Sequence, residues 1–147
     1  MKEHKLHIAL VDDDEDDRSF FEEAIEEINI ATQLFLFENG QEILKFLNLN
    51  QPILPKLIFL DLNMPIINGL QCLKEIRSHN HLDIIKVAIY STSSSSTDIE
   101  SAFAEGANLY VTKPDSFKKL TEIIHNILRI DWSKSDKELT RDNFIYS

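Results

Sequence analysis

Three aspartates are the residues of this sequence best suited to chemistry. Asp12 and Asp13 directly follow one apolar run, and Asp61 lies within a second. If the fold brings them within a few ångström of one another, each pair repels by about 4 kcal/mol at an effective dielectric near 20. A cation must offset that repulsion, and an all-oxygen donor set favours Mg²⁺ over Zn²⁺. The three residues therefore predict a magnesium site.

A hydroxyl group and an ammonium group also lie at the ends of apolar runs, as Asp12 and Asp13 do. Ser91 opens a serine-rich stretch after a third apolar run, and Lys113 stands before Pro114 at the end of a fourth. A carboxylate beside Mg²⁺, a lysine and a hydroxyl suits phosphoryl transfer, in which catalysis consists mostly of positioning and charge neutralisation. The expected product is an acyl phosphate on one aspartate.

Apolar runs alternate with amphipathic stretches, which is typical of a parallel sheet wrapped by helices. The runs predict strands at residues 6–11, 33–37, 57–62, 86–90 and 109–112. Several are apolar throughout, so helices must cover both faces. We predict an α/β fold, a flavodoxin-like doubly wound (βα)5 domain with a parallel five-stranded sheet in the order 2-1-3-4-5. In that order the first and third strands are neighbours, which brings Asp12, Asp13 and Asp61 together.

Helical spacing and capping residues predict the helices between these strands. The first has an inward stripe of Phe21, Ala24, Ile25 and Ile28, and the second and third cover about 41–49 and 70–78. Thr97-Asp98-Ile99-Glu100 fits a capping box that starts the fourth helix, and Ser116 precedes the fifth. Asp16 and Asp17 are interpreted as anions that the dipole of the first helix favours.

The charge of the chain is concentrated in one segment. The 147 residues include 25 acidic and 15 basic side chains, for a net charge of -10, which argues against general nucleic-acid binding. Residues 12–27 hold ten of the acids and one base, so the remainder is nearly neutral. Cys72 is the single cysteine, and no apolar run approaches the ~20 residues that span a bilayer. We expect a cytoplasmic protein that does not associate with membranes.

Four segments together resemble one family. They read Leu10-Val11-Asp12-Asp13-Asp14, Ile58-Phe59-Leu60-Asp61-Leu62-Asn63-Met64-Pro65 with Asn68-Gly69, Ile89-Tyr90-Ser91-Thr92, and Gly106-Ala107-Asn108-Leu109-Tyr110-Val111-Thr112-Lys113-Pro114. Over about residues 6–128 the sequence resembles a response-regulator receiver domain. It is most similar to small stand-alone receivers that partner phytochrome-like or hybrid histidine kinases.

The resemblance implies a role for each site residue. Asp61 would be the phosphoacceptor and nucleophile, and Asp12 and Asp13 would hold Mg²⁺ with Asp61 and the backbone carbonyl of Asn63. The hydroxyl of Ser91 and the ammonium of Lys113 would contact the phosphoryl group. Two further residues would act around them: Tyr110 as an aromatic switch, and Ser93 as a position that tunes the phosphoryl lifetime.

The function implied is two-component signal transduction. The domain would accept a phosphoryl group from the phosphohistidine of a sensor histidine kinase or a histidine phosphotransfer protein. It would catalyse only its own phosphorylation and slow autodephosphorylation. We expect a receiver domain at residues 1–129 and a C-terminal extension at 130–147 without an effector domain. Signalling would then pass through protein contacts, with a phosphotransfer protein or in a homodimer.

Two alternatives remain open at the level of sequence. Asp12 and Asp14 have the Asp-x-Asp spacing of haloacid-dehalogenase-type phosphohydrolases, in which Asp12 would be the nucleophile, although the usual following threonine and cap insertion are not evident. The second alternative is a binding module that works without phosphorylation.

Overall fold

The computed structural model describes residues 5–49, 53–132 and 145–146. Strands and helices alternate from β1 to α5, and a sixth short strand follows. The strands are β1 Leu6–Val11, β2 Thr32–Phe37, β3 Leu57–Leu60, β4 Lys86–Ser91, β5 Leu109–Thr112 and β6 Ile145–Tyr146. The helices are α1 Glu15–Glu27, α2 Gly40–Asn48, α3 Gly69–Arg77, α4 Ser96–Ala104 and α5 Phe117–Leu128.

The strands form one parallel sheet in the order β2-β1-β3-β4-β5-β6. The predicted order of the first five strands is confirmed. The addition is β6, which pairs in parallel with β5 through Tyr110–Ile145 and Val111–Tyr146. A two-residue strand is too short to display an alternating pattern, so no sequence signal predicted it. Because all neighbours are parallel, their carboxyl ends lie at one edge of the sheet.

Both faces of the sheet are covered by helices. Along β1, Ala9 and Val11 join the hydrophobic core under α2, α3 and α4. Ile8 and Leu10 join the core under α1 and α5. This division explains why the strands are apolar at successive positions. No helix in the described parts of the chain combines the length and the hydropathy needed to cross a membrane.

The start of α4 differs from the prediction. Ser95, not Thr97, is the N-cap, and its Oγ accepts a hydrogen bond from the backbone N–H of Asp98 at 3.2 Å. The predicted capping box was wrong because several neighbouring hydroxyls offer similar caps, and Ser93 engages Asp98 as well. By contrast, Ser116 caps α5 as predicted, by accepting from the backbone N–H of Lys119 at 3.0 Å.

Candidate functional site

The three predicted aspartates meet at the carboxyl ends of β1 and β3. Asp12 and Asp61 each follow a strand, and the backbone N–H of Asp61 donates to the Val11 carbonyl at 3.0 Å. One carboxylate oxygen from each of Asp12, Asp13 and Asp61 lies within 4.8 Å of the other two. Asp12 and Asp61 are buried and Asp13 is exposed, so the cluster opens to solvent on one side.

Burial and charge make Asp61 an unusual carboxyl group. Burial raises its pKa from 3.8 to about 6, and the charge of Asp12 adds to this rise. Lys113 and a hydrogen bond from the backbone N–H of Asn63, at 3.2 Å, act in the opposite direction. Ionisation of the buried Asp61 carboxyl group is unfavourable, so a cation that binds beside it stabilises the ionised form.

Lys113 crosses from the end of β5 into the aspartate cluster. Its Nζ lies 2.8 Å from Oδ2 of Asp12, 2.9 Å from Oδ2 of Asp17 and 3.5 Å from Oδ2 of Asp61. The Tyr90 ring centroid is 5.2 Å from the same Nζ. Burial alone would lower the pKa of Lys113, but the hydrogen bonds to Asp12 and Asp17 raise it above its ordinary value. The ammonium is therefore a fixed positive charge at the site.

Asp17 is the site residue that sequence reasoning missed. Its position in the first turn of α1 predicted only an interaction with the helix dipole, but its carboxylate accepts from Lys113. Ninety-six positions separate the two residues in the chain. A contact of that kind depends on where the first turn of α1 lies relative to the end of β5, and no local pattern signals it.

Ser91 and Tyr110 belong to one hydrogen-bonded group. Ser91 is buried and its Oγ accepts from the backbone N–H of Ser93 at 3.1 Å. Tyr110 is fully buried, and its hydroxyl donates to the Ser93 carbonyl at 2.8 Å. The Ser93 hydroxyl in turn donates to Oδ2 of Asp98 at 2.5 Å. The group links the end of β4, the middle of β5 and the first turn of α4.

A close backbone approach fixes α3 beside the aspartate cluster. A Cβ atom added to Gly69 would lie 2.1 Å from the backbone oxygen of Asp61, so only glycine fits there. Asn68 caps α3, and its side chain and that of Gln71 form a reciprocal capping box. The loop that carries Asn63 therefore runs between Asp61 and the capped start of α3, and these two points lie against each other.

The aspartate cluster fits a hard divalent cation. It offers three carboxylates, two of them buried, and no sulfur or nitrogen ligand, which is the donor set that Mg²⁺ or Mn²⁺ takes. These carboxylates are the kind of ligand expected for the predicted Mg²⁺ cofactor.

Comparison with known proteins points to one family. The family model described as the response regulator receiver domain matches residues 8–125. The response regulator Rcp1 of Synechocystis is 30% identical over 125 residues, which cover 82% of this chain and 84% of Rcp1. A probable methanogenesis regulatory protein of Methanothrix harundinacea, FilR2, is 28% identical over 133 residues, covering 87% of this chain and 86% of FilR2.

Solved structures agree with this result. The Mn²⁺-bound form of Rcp1 matches with a TM-score of 0.73 and 28% identity, covering 91% of this chain and 96% of that one. The phosphorylated cyanobacterial phytochrome response regulator RcpA matches with a TM-score of 0.79 and 29% identity, covering 90% and 96%.

These matches do not favour the phosphohydrolase alternative. Receiver domains are signalling domains that partner histidine kinases, and the Asp12, Asp13 and Asp61 cluster fits their divalent-cation site. The chain belongs to the response-regulator receiver family and acts in two-component signal transduction.

Proposed function

We propose that Asp61 accepts a phosphoryl group from the phosphohistidine of a sensor histidine kinase or a histidine phosphotransfer protein. The observation that carries this proposal is the position of its carboxylate, clustered with Asp12 and Asp13 and 3.5 Å from the Lys113 ammonium. A nucleophile in that position has two sources of positive charge, the lysine and the cation that the cluster fits. Positioning and charge neutralisation are what phosphoryl transfer requires.

The phosphoryl-transfer step forms one bond to phosphorus and breaks another. An oxygen of Asp61 attacks phosphorus, the phosphorus–nitrogen bond of the phosphohistidine breaks, and its electron pair stays on the imidazole nitrogen. Mg²⁺ held by Asp12, Asp13, Asp61 and the backbone carbonyl of Asn63 would supply neutralisation of the phosphoryl charge. Lys113 provides the second positive charge. Attack of water on phosphorus later returns the Asp61 carboxylate and inorganic phosphate, so the domain catalyses only its own phosphorylation and dephosphorylation.

Ser91 and Tyr110 transmit the effect of phosphorylation at Asp61 to the rest of the domain. The phosphoryl oxygens attract the Ser91 hydroxyl, which now accepts a hydrogen bond from Ser93. Movement of Ser91 shifts the loop whose Ser93 carbonyl holds the Tyr110 hydroxyl. Because Ser93 also binds Asp98, the change reaches α4. The signal would therefore leave through the surface formed by α4 and β5.

We further propose that residues 1–129 form the receiver unit and residues 130–147 an extension. Output would pass through protein contacts, either with a phosphotransfer protein or with a second copy of the chain. The net charge of -10 supports protein partners over nucleic acid. The single, buried Cys72 is consistent with a cytoplasmic location.

Acetyl phosphate provides a direct test. Incubation with acetyl phosphate and Mg²⁺, followed by mass spectrometric mapping, is expected to place the phosphoryl group on Asp61. Labelling should require Mg²⁺ and disappear in Asp61→Asn. Label on Asp12 would contradict the proposal and favour the phosphohydrolase chemistry. If Asp61→Asn left partner binding and signalling intact, the domain would instead be a phosphorylation-independent binding module.

A further inference from the structure

Asp17 is a fourth carboxylate at the site, and the proposed reaction gives it no role. It lies in the first turn of α1, and its Oδ2 accepts from Lys113 Nζ at 2.9 Å. It is not among the three carboxylates that gather within 4.8 Å of one another. Asp17 therefore contacts the lysine without belonging to the cation cluster.

The three carboxylates that accept hydrogen bonds from Lys113 lie at different distances from its Nζ. A lysine ammonium has three N–H donors, and Nζ lies 2.8 Å from Asp12, 2.9 Å from Asp17 and 3.5 Å from Asp61. The shorter contacts go to Asp12 and Asp17, and the longest goes to the proposed phosphoacceptor. In this structure the ammonium is thus bound more closely to Asp17 than to the residue that reacts.

Asp17 holds the lysine from the solvent side. Its side chain is 40% exposed, whereas those of Asp12 and Asp61 are 0% and 8% exposed. Lys113 itself is only 9% exposed, and the Tyr90 ring lies beside its ammonium. Asp12 and the ring would keep the ammonium inside the site without Asp17.

A phosphoryl group on Asp61 would compete with Asp17. Its oxygens need the Lys113 ammonium close to Asp61, whereas the ammonium now lies 2.9 Å from Asp17 and 3.5 Å from Asp61. A bound cation shares the charge of Asp12 and Asp61, but it leaves Asp17 with its full charge for the lysine. Asp17 is then the strongest rival of the phosphoryl group for Lys113.

We propose that Asp17 is a positioning residue that draws Lys113 away from the phosphoryl group and so weakens the phosphorylated state. The inference rests on the proposed roles of Asp61 and Lys113. Loss of the Asp17 charge frees the lysine to bind the phosphoryl group. The chain thereby sets the stability of its phosphorylated state through a residue outside both the metal ligands and the switch.

The chain offers a matched pair of variants. In Asp17→Asn the backbone N–H of residue 17 can still donate to the Asp14 cap, so the start of α1 is kept. Asp16→Asn removes the same charge from the same helical turn, at an exposed side chain. The two variants differ in whether the lost carboxylate bound Lys113.

Beryllofluoride, which mimics a phosphoryl group on a carboxylate, measures the effect at saturating Mg²⁺. We expect Asp17→Asn to lower its dissociation constant about twofold to fivefold relative to Asp16→Asn, the range expected for a partly exposed ion pair. In metal-free protein, the ¹⁵N signal of the Lys113 ammonium should shift in Asp17→Asn and stay in place in Asp16→Asn. The two variants should bind Mg²⁺ alike, since neither residue is a ligand.

Three results would overturn the inference. Equal or weaker beryllofluoride binding by Asp17→Asn would mean that Asp17 does not oppose the phosphoryl group. Markedly weaker Mg²⁺ binding by Asp17→Asn than by Asp16→Asn would make Asp17 a member of the cation site. If the wild-type protein failed to bind beryllofluoride, the proposed function would fall and the inference with it. If the wild-type protein binds beryllofluoride normally and the two variants bind it equally, the inference is rejected and the proposed function still stands.

Discussion

At the scale of single residues, the site is a balance of buried charges. Asp12 and Asp61 are buried next to each other, and Lys113 is their shared counter-charge. Burial, together with the nearby charge of Asp12, outweighs the attraction of Lys113, so the pKa of Asp61 stays raised at about 6. The cost of holding these carboxylates together is what makes the site ready for a cation.

Asp61 should therefore destabilise the metal-free protein near neutral pH. Its pKa rises from 3.8 to about 6 on folding, so the folded state binds its proton more tightly. This contribution to stability is fully present below about pH 4 and is lost as the pH rises through about 6. Relative to wild type, Asp61→Asn should gain up to about 3 kcal/mol across that window, since one pKa unit corresponds to about 1.4 kcal/mol. Urea unfolding in EDTA at a series of pH values measures the difference.

Asp115→Asn, at an exposed position, serves as the control for this experiment. Its difference from wild type should stay within about 0.5 kcal/mol at every pH, as for most surface substitutions. Mg²⁺ should stabilise wild type more than Asp61→Asn. A stability difference for Asp61→Asn that did not grow with pH would show that burial of this carboxylate costs little.

At the scale of elements, short anchored loops hold the reactive groups. The α3 helix begins against the backbone of Asp61, and the β4–α4 loop is tied to Tyr110 and Asp98 through Ser93. Both loops lie at the carboxyl edge of the sheet. Their hydrogen bonds make the position of each reactive group depend on the neighbouring helix.

Gly69→Ala should damage the fold at this edge. The new Cβ would lie 2.1 Å from the Asp61 backbone oxygen and 2.7 Å from the Leu62 Cα, and neither can move as a flexible side chain does. We expect a loss of about 3 kcal/mol in the free energy of unfolding, at the upper end for overpacked sites. Chemical denaturation measures it.

Gly40→Ala is a suitable comparison because it also adds a methyl group at the first residue of a helix. Its Cβ would lie 3.3 Å from the nearest atoms of Ile67, which is a tight but adjustable contact. We expect its stability to stay within about 1 kcal/mol of wild type, aided by the better helix propensity of alanine. Equal stability of the two variants would mean that α3 can move away from Asp61 at little cost.

At the scale of the whole molecule, the sheet extends one strand beyond the five predicted βα units. The short strand β6 pairs with Tyr110 and Val111 of β5, the strand that carries the proposed switch. An unpaired strand edge exposes a row of backbone groups. The pairing with β6 covers part of that edge beside the surface through which we expect the signal to leave.

Removal of residues 145–147 should weaken protection along β5. Amide hydrogen exchange followed by NMR is expected to become about tenfold faster at those Tyr110–Thr112 amides that face β6, because opening then no longer requires separation of a strand pair. The amides of β2, at the opposite edge of the sheet, provide the internal control. Unchanged exchange in β5 would contradict a stable β5–β6 pairing in solution.

The elements and the aspartate cluster could be predicted because they follow from local patterns. Predominantly apolar runs such as residues 6–11 and 109–112 mark buried parallel strands, and the structure has β1 and β5 at those bounds. The N-cap of α4 could not be assigned, since adjacent serines offer nearly equal caps and Ser95 is chosen alongside the Ser93–Asp98 contact. Near-degenerate local choices are resolved by tertiary contacts.

The sequence by itself determined the five βα units, their order and the meeting of Asp12, Asp13 and Asp61. It could do so because parallel strands end at one edge, so the residues that follow adjacent strands must lie together. Only the tertiary structure decided that Asp17 shares Lys113 with that cluster, that glycine is required at position 69, and that β6 pairs with β5. These contacts depend on the distances between packed elements, which strand and helix periodicity does not encode.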